Sequence, residues 1–430
     1  MFFKNYCLNI FLASLLIMKK FCLTILTLLQ LQLLVAQTKI DSLDFKIGQM
    51  ILIGFPGTEV DPKVLEEVRE GKVGSIIIFE KNIPPQNSFI ALKKITWTYQ
   101  HAAPIPLLIG IDQEGGRVNR LKDKYGFPRS ITADAMASSG TLDSVQFYSE
   151  STASTLAGLG ININFAPVVD LSSNPDNPII AKFGRAFSAN EDSVILFAKE
   201  FIKQHHKLGV LTVLKHFPGH GSSKGDTHLG VTDVTNTWQE TELKPYQVLI
   251  DSGYADAVMT SHIVNKNLDE GGYPGTLSAD IITGILRNKL KFDGVVFTDD
   301  MQMFAITKNY GLEQAIKLTI NAGVDIMTFS NNIYGSEIRT VDRVHEVIRG
   351  MVQRGEISRS RIDESFKRII RLKKKLNHTS DFFREDFLMA QLTKKNEEIA
   401  RQKIVLEEQL ADEQKNHGRK KKKRRKKDRT

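Results

Sequence analysis

The sequence predicts an α/β protein of the (β/α)8 TIM-like barrel type, and three observations support this prediction. Short apolar, β-branched runs alternate with longer stretches of helical periodicity after residue 37, which is the pattern of parallel strands joined by helices. Eight such runs fall within about 300 residues, and closure into a barrel leaves no sheet edge exposed. Polar residues concentrate at the C-terminal ends of these runs, which share one mouth in a barrel. A doubly wound open sheet is the alternative.

The elements can be placed individually. The candidate strands are residues 47–55, 73–79, 106–112, 161–167, 210–217, 256–262, 294–300 and 325–330. The intervening helical segments include residues 61–70, 143–159, 192–208, 241–252, 278–289 and 311–322. Ser278 is a candidate N-cap, because its side-chain oxygen can accept a bond from an unpaired amide of the first helical turn. We therefore assign residues 37–376 to one barrel domain.

The net charge of +9 arises in the C-terminal tail. Residues 419–430 hold ten basic side chains and one acidic side chain, Asp428, so the remainder of the chain is neutral. Residues 388–414 resemble a charged helix with a weak heptad pattern. We therefore expect residues 377–430 to form a charged, helical or disordered basic tail, either solvated or in weak contact with anionic envelope polymers or lipids. No nucleic-acid partner is expected.

The N-terminus resembles a secretory signal. Met18 is followed by two lysines, an apolar run over residues 21–35, and Ala36, which gives a basic region, an apolar core and a plausible cleavage point. This predicts a signal peptide over residues 1–36 with Met18 as the true start, and an exported protein, periplasmic or secreted, of a bacterial envelope. An uncleaved membrane anchor is the alternative. Both cysteines, Cys7 and Cys22, lie in this stretch, so a processed chain has neither disulfides nor thiolate metal sites.

Two clusters follow candidate strands and could bind a ligand. The first is DQEGGR at 112–117 with Arg120, where paired glycines allow a sharp turn beside polar side chains. A salt-bridged turn explains it equally well. The second contains Arg185, between a glycine and aromatic residues, which could bind a ligand oxygen or form a structural ion pair.

A third cluster, KHFPGHG at 215–221 followed by DTH at 226–228, contains three histidines. A zinc site is disfavoured, because Pro218 and Gly219 would break any helix presenting the first two histidines together. The glycines predict a mobile loop instead. Asp226 lies two residues before His228, so its carboxylate could hold the imidazole and raise its pKa, which favours proton donation near neutral pH.

A fourth cluster, TDDMQM at 298–303, ends a buried strand with two adjacent carboxylates. Adjacent strand residues point in opposite directions, so we expect only one of them to face the barrel mouth. A carboxylate nucleophile opposite a proton donor is the basic apparatus for cleaving a glycosidic bond with retention. A structural role for both carboxylates is the alternative.

Together these motifs resemble glycoside hydrolase family 3, specifically the β-N-acetylglucosaminidases that trim peptidoglycan-derived sugars, over about residues 47–374. The most specific element is KHFPGHG with the following DTH. The resemblance implies that Asp299 is the nucleophile, that His228 oriented by Asp226 is the general acid/base, and that Asp300 braces the site. It further implies five residues that hold the terminal sugar: Asp112, Arg120, Arg185, Lys215 and His216.

The resemblance also implies an activity, a retaining exo-β-N-acetylhexosaminidase that acts on peptidoglycan- or chitin-type glycans without a metal or organic cofactor. Relatives that cleave glucosides or xylosides take a glutamate acid/base from a second domain, for which this sequence leaves no room after Leu376. A β-glucosidase or β-xylosidase, and a non-catalytic glycan-binding protein, remain as alternatives. The sequence leaves open whether water or phosphate releases the sugar, and it leaves the oligomeric state open as well.

Overall fold

The computed structural model describes residues 42–376 and shows a closed barrel of eight parallel strands, as predicted. The predicted signal peptide and basic tail lie outside the described residues. The barrel strands are β1 (Ile51–Gly54), β2 (Ser75–Ile78), β3 (Leu108–Ile111), β4 (Ile163–Asn164), β5 (Leu211–Phe217), β7 (Ala257–Thr260), β9 (Val295–Asp300) and β10 (Ile326–Phe329). Two short strands, β6 (Thr232–Asp233) and β8 (Ile263–Val264), pair with each other outside the barrel.

The barrel closes because β1 pairs with both β2 and β10. The helices are Leu43–Gln49, Pro62–Glu70, Ser88–Ala102, Ala133–Ala137, Leu142–Gly158, Glu191–Lys207, Lys244–Asp251, the π-helical Asp280–Lys289, Phe304–Thr307, Leu312–Ala322, Val341–Gln353 and Arg359–Lys374. Short 3-10 turns lie at Glu80–Asn82, Asp123–Tyr125, Glu240–Leu243 and Gly275–Leu277. No helix within residues 42–376 is long and apolar enough to cross a membrane.

The first predicted strand begins four residues too early. Residues 47–49 belong to the helix Leu43–Gln49, and the Phe45 amide donates to the hydroxyl of its N-cap Ser42 at 3.2 Å. An apolar run of this length is compatible with either a buried strand or a buried helix turn, so hydrophobicity alone did not distinguish them. The N-cap of the helix Asp280–Lys289 is Ala279, one residue after the predicted Ser278. The Ser278 hydroxyl nevertheless accepts the Ile281 amide at 3.1 Å, as expected of a capping side chain.

The fourth strand has only two residues, and asparagine side chains extend its contact with β3. Asn162 accepts the Ile109 amide and donates to the Leu107 carbonyl, each at 2.8 Å. The Asn164 side chain accepts the Gln113 amide and donates to the Gln113 carbonyl, each at 3.1 Å. Because side-chain amides replace backbone groups, the barrel stays closed where the strand pattern is interrupted.

A buried carboxylate joins the helices to the N-terminal end of the barrel. Asp325, at the start of β10, is fully buried and accepts the Val296 amide at 3.0 Å. Arg287 and Arg361 contact it at 2.7 and 2.9 Å, and Arg368 contacts it at 3.4 Å. One carboxylate thus holds arginines from two helices, so its loss would leave several buried cations without their counter-ion.

Replacing Asp325 by alanine is therefore expected to lower the free energy of unfolding by about 3–5 kcal/mol. Urea unfolding followed by circular dichroism measures this change. Asp293→Ala is the matched control, because Asp293 also pairs with Arg368 but its side chain is 64% exposed. The control should cost about 1 kcal/mol or less. Equal losses in the two variants would contradict the structural role of Asp325.

Candidate active site

All eight residues predicted to form a site line one pocket of about 430 Å³ at the C-terminal ends of the barrel strands. They are Asp112, Arg120, Arg185, Lys215, His216, Asp226, His228 and Asp299. The strands β3, β5 and β9 supply four of these groups directly at or next to their C-terminal ends. Such a volume suits a small ligand, and this end of a barrel is where active sites occur.

The floor of the pocket is a network of buried opposite charges. The Lys215 ammonium lies 2.8 Å from Asp112 and 2.6 Å from Glu114. Arg185 donates two parallel hydrogen bonds to Glu114, at 2.7 and 2.8 Å. Arg120 lies further out, 3.4 Å from Asp112, and its Nε atom has no hydrogen-bond partner within the described residues. The network fixes the donors and acceptors that a polar ligand would meet.

This network keeps its carboxylates ionised. Burial alone would raise the pKa of Asp112, but the charges of Lys215 and Arg120 outweigh burial and lower that pKa. Burial likewise opposes ionisation of Glu114, whose pKa is nevertheless lowered strongly by Arg185 and Lys215. Both side chains therefore act as hydrogen-bond acceptors near neutral pH.

His216 is held between a carboxylate and a guanidinium. Its Nδ1 lies 2.7 Å from Asp170, and its Nε2 lies 3.2 Å from an Arg185 nitrogen. Arginine can only donate, so Nε2 accepts that bond and Nδ1 donates to Asp170. Asp170 also accepts the backbone amides of His216 and His220, at 3.1 and 2.8 Å. The imidazole orientation is therefore set by protein groups.

The predicted pairing of Asp226 with His228 is present. The carboxylate accepts from the His228 backbone amide at 2.9 Å and lies 2.8 Å from Nδ1 of the ring. This hydrogen bond raises the pKa of His228, an effect that burial partly opposes and the charge of Asp299 reinforces. The side chain of His228 is 53% exposed, so Nε2 remains available to a ligand. The pair has the form of an oriented proton donor.

Asp299 faces this pair across the same pocket. Burial would raise the pKa of its carboxyl, but the imidazoles of His262, His216 and His228 lower that pKa to about 2. The Asp300 amide also donates to Asp299 at 2.8 Å. Asp299 is therefore an ionised carboxylate at neutral pH, as a nucleophile requires.

The adjacent Asp300 has a different environment. Its carboxylate accepts the Gln302 amide at 3.0 Å and contacts the Ser330 hydroxyl and amide at the end of β10. Burial raises the pKa of Asp300 to about 6, despite these hydrogen bonds. Both carboxylates line the pocket, so the expectation that only one of them faces the barrel mouth is wrong. They differ in their hydrogen bonds, because Asp300 is tied to Ser330 and joins β9 to β10.

The glycines of the KHFPGHG segment have steric functions. A Cβ atom on Gly221 would lie 1.7 Å from the Leu171 carbonyl oxygen, so no other residue fits without moving the backbone. Asn177 donates to the carbonyls of His220 and Gly221, at 2.8 and 3.0 Å. These contacts fix the start of the loop that carries Asp226 and His228. The predicted mobility of this loop stays a prediction.

Three residues of the site were missing from the predicted set. Glu114 lay in a recognised cluster but carried no assigned role. Asp170 follows the fourth strand, whose predicted end was placed three residues earlier, and its position after an apolar run was the available signal. His262 ends the predicted sixth strand, and it lies 2.8 Å from the Thr276 hydroxyl and 2.9 Å from the Asp300 carbonyl.

The three histidines of the loop cluster have separate partners. His216 lies against Asp170, His220 lies 2.8 Å from the Ser223 hydroxyl, and His228 lies against Asp226. Burial lowers the pKa of His220 to about 4, so its ring is neutral at pH 7. Within residues 42–376, no group of three His, Cys, Asp or Glu side chains is arranged to hold a metal ion.

A closed parallel barrel with a polar pocket at its C-terminal strand ends defines the general class, a (β/α)8-barrel protein with an enzyme-type site. The chain belongs to glycosyl hydrolase family 3, because the family model of the glycosyl hydrolase family 3 N terminal domain matches residues 42–372. The resemblance inferred from the motifs is thereby confirmed.

Two beta-hexosaminidases are similar in sequence to this chain. The chain is 33% identical over 289 residues to a beta-hexosaminidase of Tolumonas auensis, covering 66% of this chain and 84% of that protein. It is 31% identical over 343 residues to beta-hexosaminidase A of Pseudoalteromonas piscicida, covering 75% of this chain but 57% of that protein. The chain thus spans little more than half the length of this second relative.

Solved structures agree with the fold. A family 3 beta-N-acetylglucosaminidase from a Paenibacillus species matches with a TM-score of 0.71 and 33% identity, over 78% of this chain and 63% of that one. A beta-N-acetylhexosaminidase from Beutenbergia cavernae matches with a TM-score of 0.69 and 28% identity, over 77% of this chain and 98% of that one.

Replacing Asp226 by asparagine is expected to lower the pKa of His228, because the hydrogen bond from the ring to this carboxylate is the main cause that raises it. NMR titration of the imidazole C–H signals measures this pKa. Asp233→Asn is the control, because Asp233 is an exposed carboxylate that is hydrogen-bonded to Thr235. An unchanged His228 pKa in the Asp226 variant would rule out the pairing.

Proposed function

We propose that this protein is a retaining exo-β-N-acetylhexosaminidase that releases terminal β-linked N-acetylglucosamine. The observation that carries the proposal is that Asp299, as an ionised carboxylate, and His228, as an imidazole held by Asp226, line the same pocket. One group can attack the anomeric carbon while the other protonates the leaving oxygen. The names of the relatives from Tolumonas auensis and Beutenbergia cavernae support an N-acetylhexosamine, and the name of the Paenibacillus enzyme supports N-acetylglucosamine.

The proposed reaction has two steps. In the first, a carboxylate oxygen of Asp299 bonds to the anomeric carbon as the glycosidic bond breaks, and protonated His228 gives its proton to the leaving oxygen. In the second, His228 takes a proton from the water that attacks the anomeric carbon, and the bond to Asp299 breaks. Asp226 raises the proton affinity of His228, which favours donation in the first step.

The charged floor of the pocket would hold the terminal sugar. The carboxylates of Asp112 and Glu114 can accept bonds from sugar hydroxyls, and the Nε donor of Arg120 has no partner among residues 42–376. Lys215 and Arg185 hold these carboxylates in place and can also donate to sugar oxygens. His216 is fixed by Asp170 and completes the set. Fixed hydrogen-bonding groups favour a polyhydroxylated ligand and discriminate among sugar stereoisomers.

The proposed setting is the bacterial envelope, after export by the N-terminal signal over residues 1–36. The natural glycan is proposed to be of the peptidoglycan or chitin type. We also propose that the basic residues of 419–430 bring the tail into contact with anionic polymers or lipids.

Replacing Asp299 by alanine should reduce kcat by roughly 10⁴-fold or more, because the substitution removes the carboxylate that is proposed to form the glycosyl-enzyme bond. His228→Ala should reduce kcat/KM strongly with poor leaving groups and least with activated aryl groups, which need little protonation. Steady-state kinetics with a series of aryl N-acetyl-β-glucosaminides measure both effects. Asp299→Asn is the control for a change in side-chain shape, because asparagine is close in size to aspartate but carries no carboxylate. A rapid release of sugar by Asp299→Ala would refute the assignment of the nucleophile.

A panel of aryl glycosides tests the sugar and the chemistry. The N-acetyl-β-glucosaminide should be cleaved at least about 100-fold more efficiently than the β-glucoside or β-xyloside. NMR of the first product should show the β-anomer, as retention requires. Assays with and without phosphate distinguish hydrolysis from phosphorolysis. Preference for the glucoside would favour the alternative activity within the family, and binding without turnover would favour a glycan-binding protein.

A further inference from the structure

Exposed apolar side chains are concentrated in a few loops, two of which also contribute residues to the pocket. Nine large apolar side chains are strongly exposed within residues 42–376, and five of them lie in three loops: Leu229, Val231, Tyr273, Tyr334 and Ile338. Leu229 is 71% exposed and Tyr334 is 99% exposed. Single exposed apolar residues are ordinary on protein surfaces, but their concentration in a few loops next to a pocket indicates a contact surface.

Two of these loops meet on one short helix, Phe304–Thr307. The Ala305 amide donates to the Thr227 carbonyl at 3.3 Å, and the Lys308 ammonium donates to the Leu229 carbonyl at 3.3 Å. On the other side, a Cβ atom placed on Gly335 would lie 3.7 Å from the Phe304 ring. The loops that carry Leu229 and Tyr334 therefore flank the same helix.

The third loop is joined to the first through the two outer strands. Thr232, which follows Val231, pairs with Ile263, and Val264 bridges to Pro274. The Tyr273 ring lies 6.4 Å from the ring of Tyr310, which follows the short helix. The side chains of Leu229, Val231, Tyr273 and Tyr334 thus belong to adjoining segments, and we call them the apolar rim.

Two rim residues directly follow pocket-lining residues along the chain. His228 lines the pocket, and Leu229 is the next residue. Ile333 also lines the pocket, and Tyr334 is the next residue there. A proton donor must reach the glycosidic oxygen, so the atoms beyond that oxygen must lie on the side of His228. The leaving group of a bound glycoside would consequently pass over the rim.

We propose that the apolar rim binds the first sugar unit of the leaving group and thereby selects saccharide substrates over glycosides with small leaving groups. This inference rests on the proposed function. The face of a pyranose ring presents C–H groups, which pack on tyrosine rings and aliphatic side chains while the hydroxyls at the ring edge stay in water. The charged pocket floor recognises the terminal sugar, and the rim recognises what is attached to it.

Two substrates that differ only in the leaving group test this assignment. N-acetyl-β-glucosaminyl fluoride has no group that could reach the rim, whereas β-1,4-linked N,N′-diacetylchitobiose carries a sugar there. The test variant is Leu229→Ser/Tyr334→Ser, and single Tyr334→Ala serves as a second variant because this almost fully exposed ring cannot support the fold. Ile90→Ser/Trp97→Ser is the matched control, since these side chains are 73% and 57% exposed on the helix Ser88–Ala102.

The rim variant should lose about tenfold in kcat/KM for the disaccharide and change less than about twofold for the fluoride. The control should change neither value. Equal loss on both substrates, or no loss on the disaccharide, overturns the rim assignment while leaving the proposed activity intact. If the unmodified protein cleaves neither substrate, the proposed function fails, and the rim assignment fails with it.

Discussion

Opposite charges buried at the C-terminal end of the barrel determine the form of the site. Lys215 is 2% exposed and lies between Asp112 and Glu114, and Arg185 forms a two-pronged contact with Glu114. A buried ion is costly unless it is paired, so the loss of one member would leave its partner charged and uncompensated. The pocket floor is therefore held in its geometry before any ligand binds, and this is the preorganisation that recognition of a polar ligand requires.

The two neighbouring aspartates show how position along one strand creates different chemistry. Asp299 faces a pocket containing imidazoles, and its pKa falls to about 2. Asp300 faces the end of β10, where burial dominates and raises its pKa to about 6. Both side chains line the pocket, but their hydrogen-bond partners and neighbouring charges differ, so one can serve as a nucleophile while the other contacts Ser330 and joins β9 to β10.

Much of the fold could be predicted because its signals are local. All eight barrel strands were located, and the errors lie at their ends. Residues 47–49 form part of a helix, and β4 contains only Ile163–Asn164, because Asn162 and Asn164 use side-chain amides where a longer strand would use its backbone. Apolar runs record burial, which helices and strands share, so they identify an element more reliably than its boundaries.

The sequence by itself determined the alternation of strands and helices and the short-range pairing of Asp226 with His228, because these depend on residues only a few positions apart. The tertiary structure alone decided which distant groups meet. The contacts of His216 with Asp170, of Arg185 with Glu114 and of His262 with Asp300 span 46, 71 and 38 residues. Strand ends so far apart along the chain become neighbours only when the sheet closes, and barrel closure therefore created the charge network and the shared pocket.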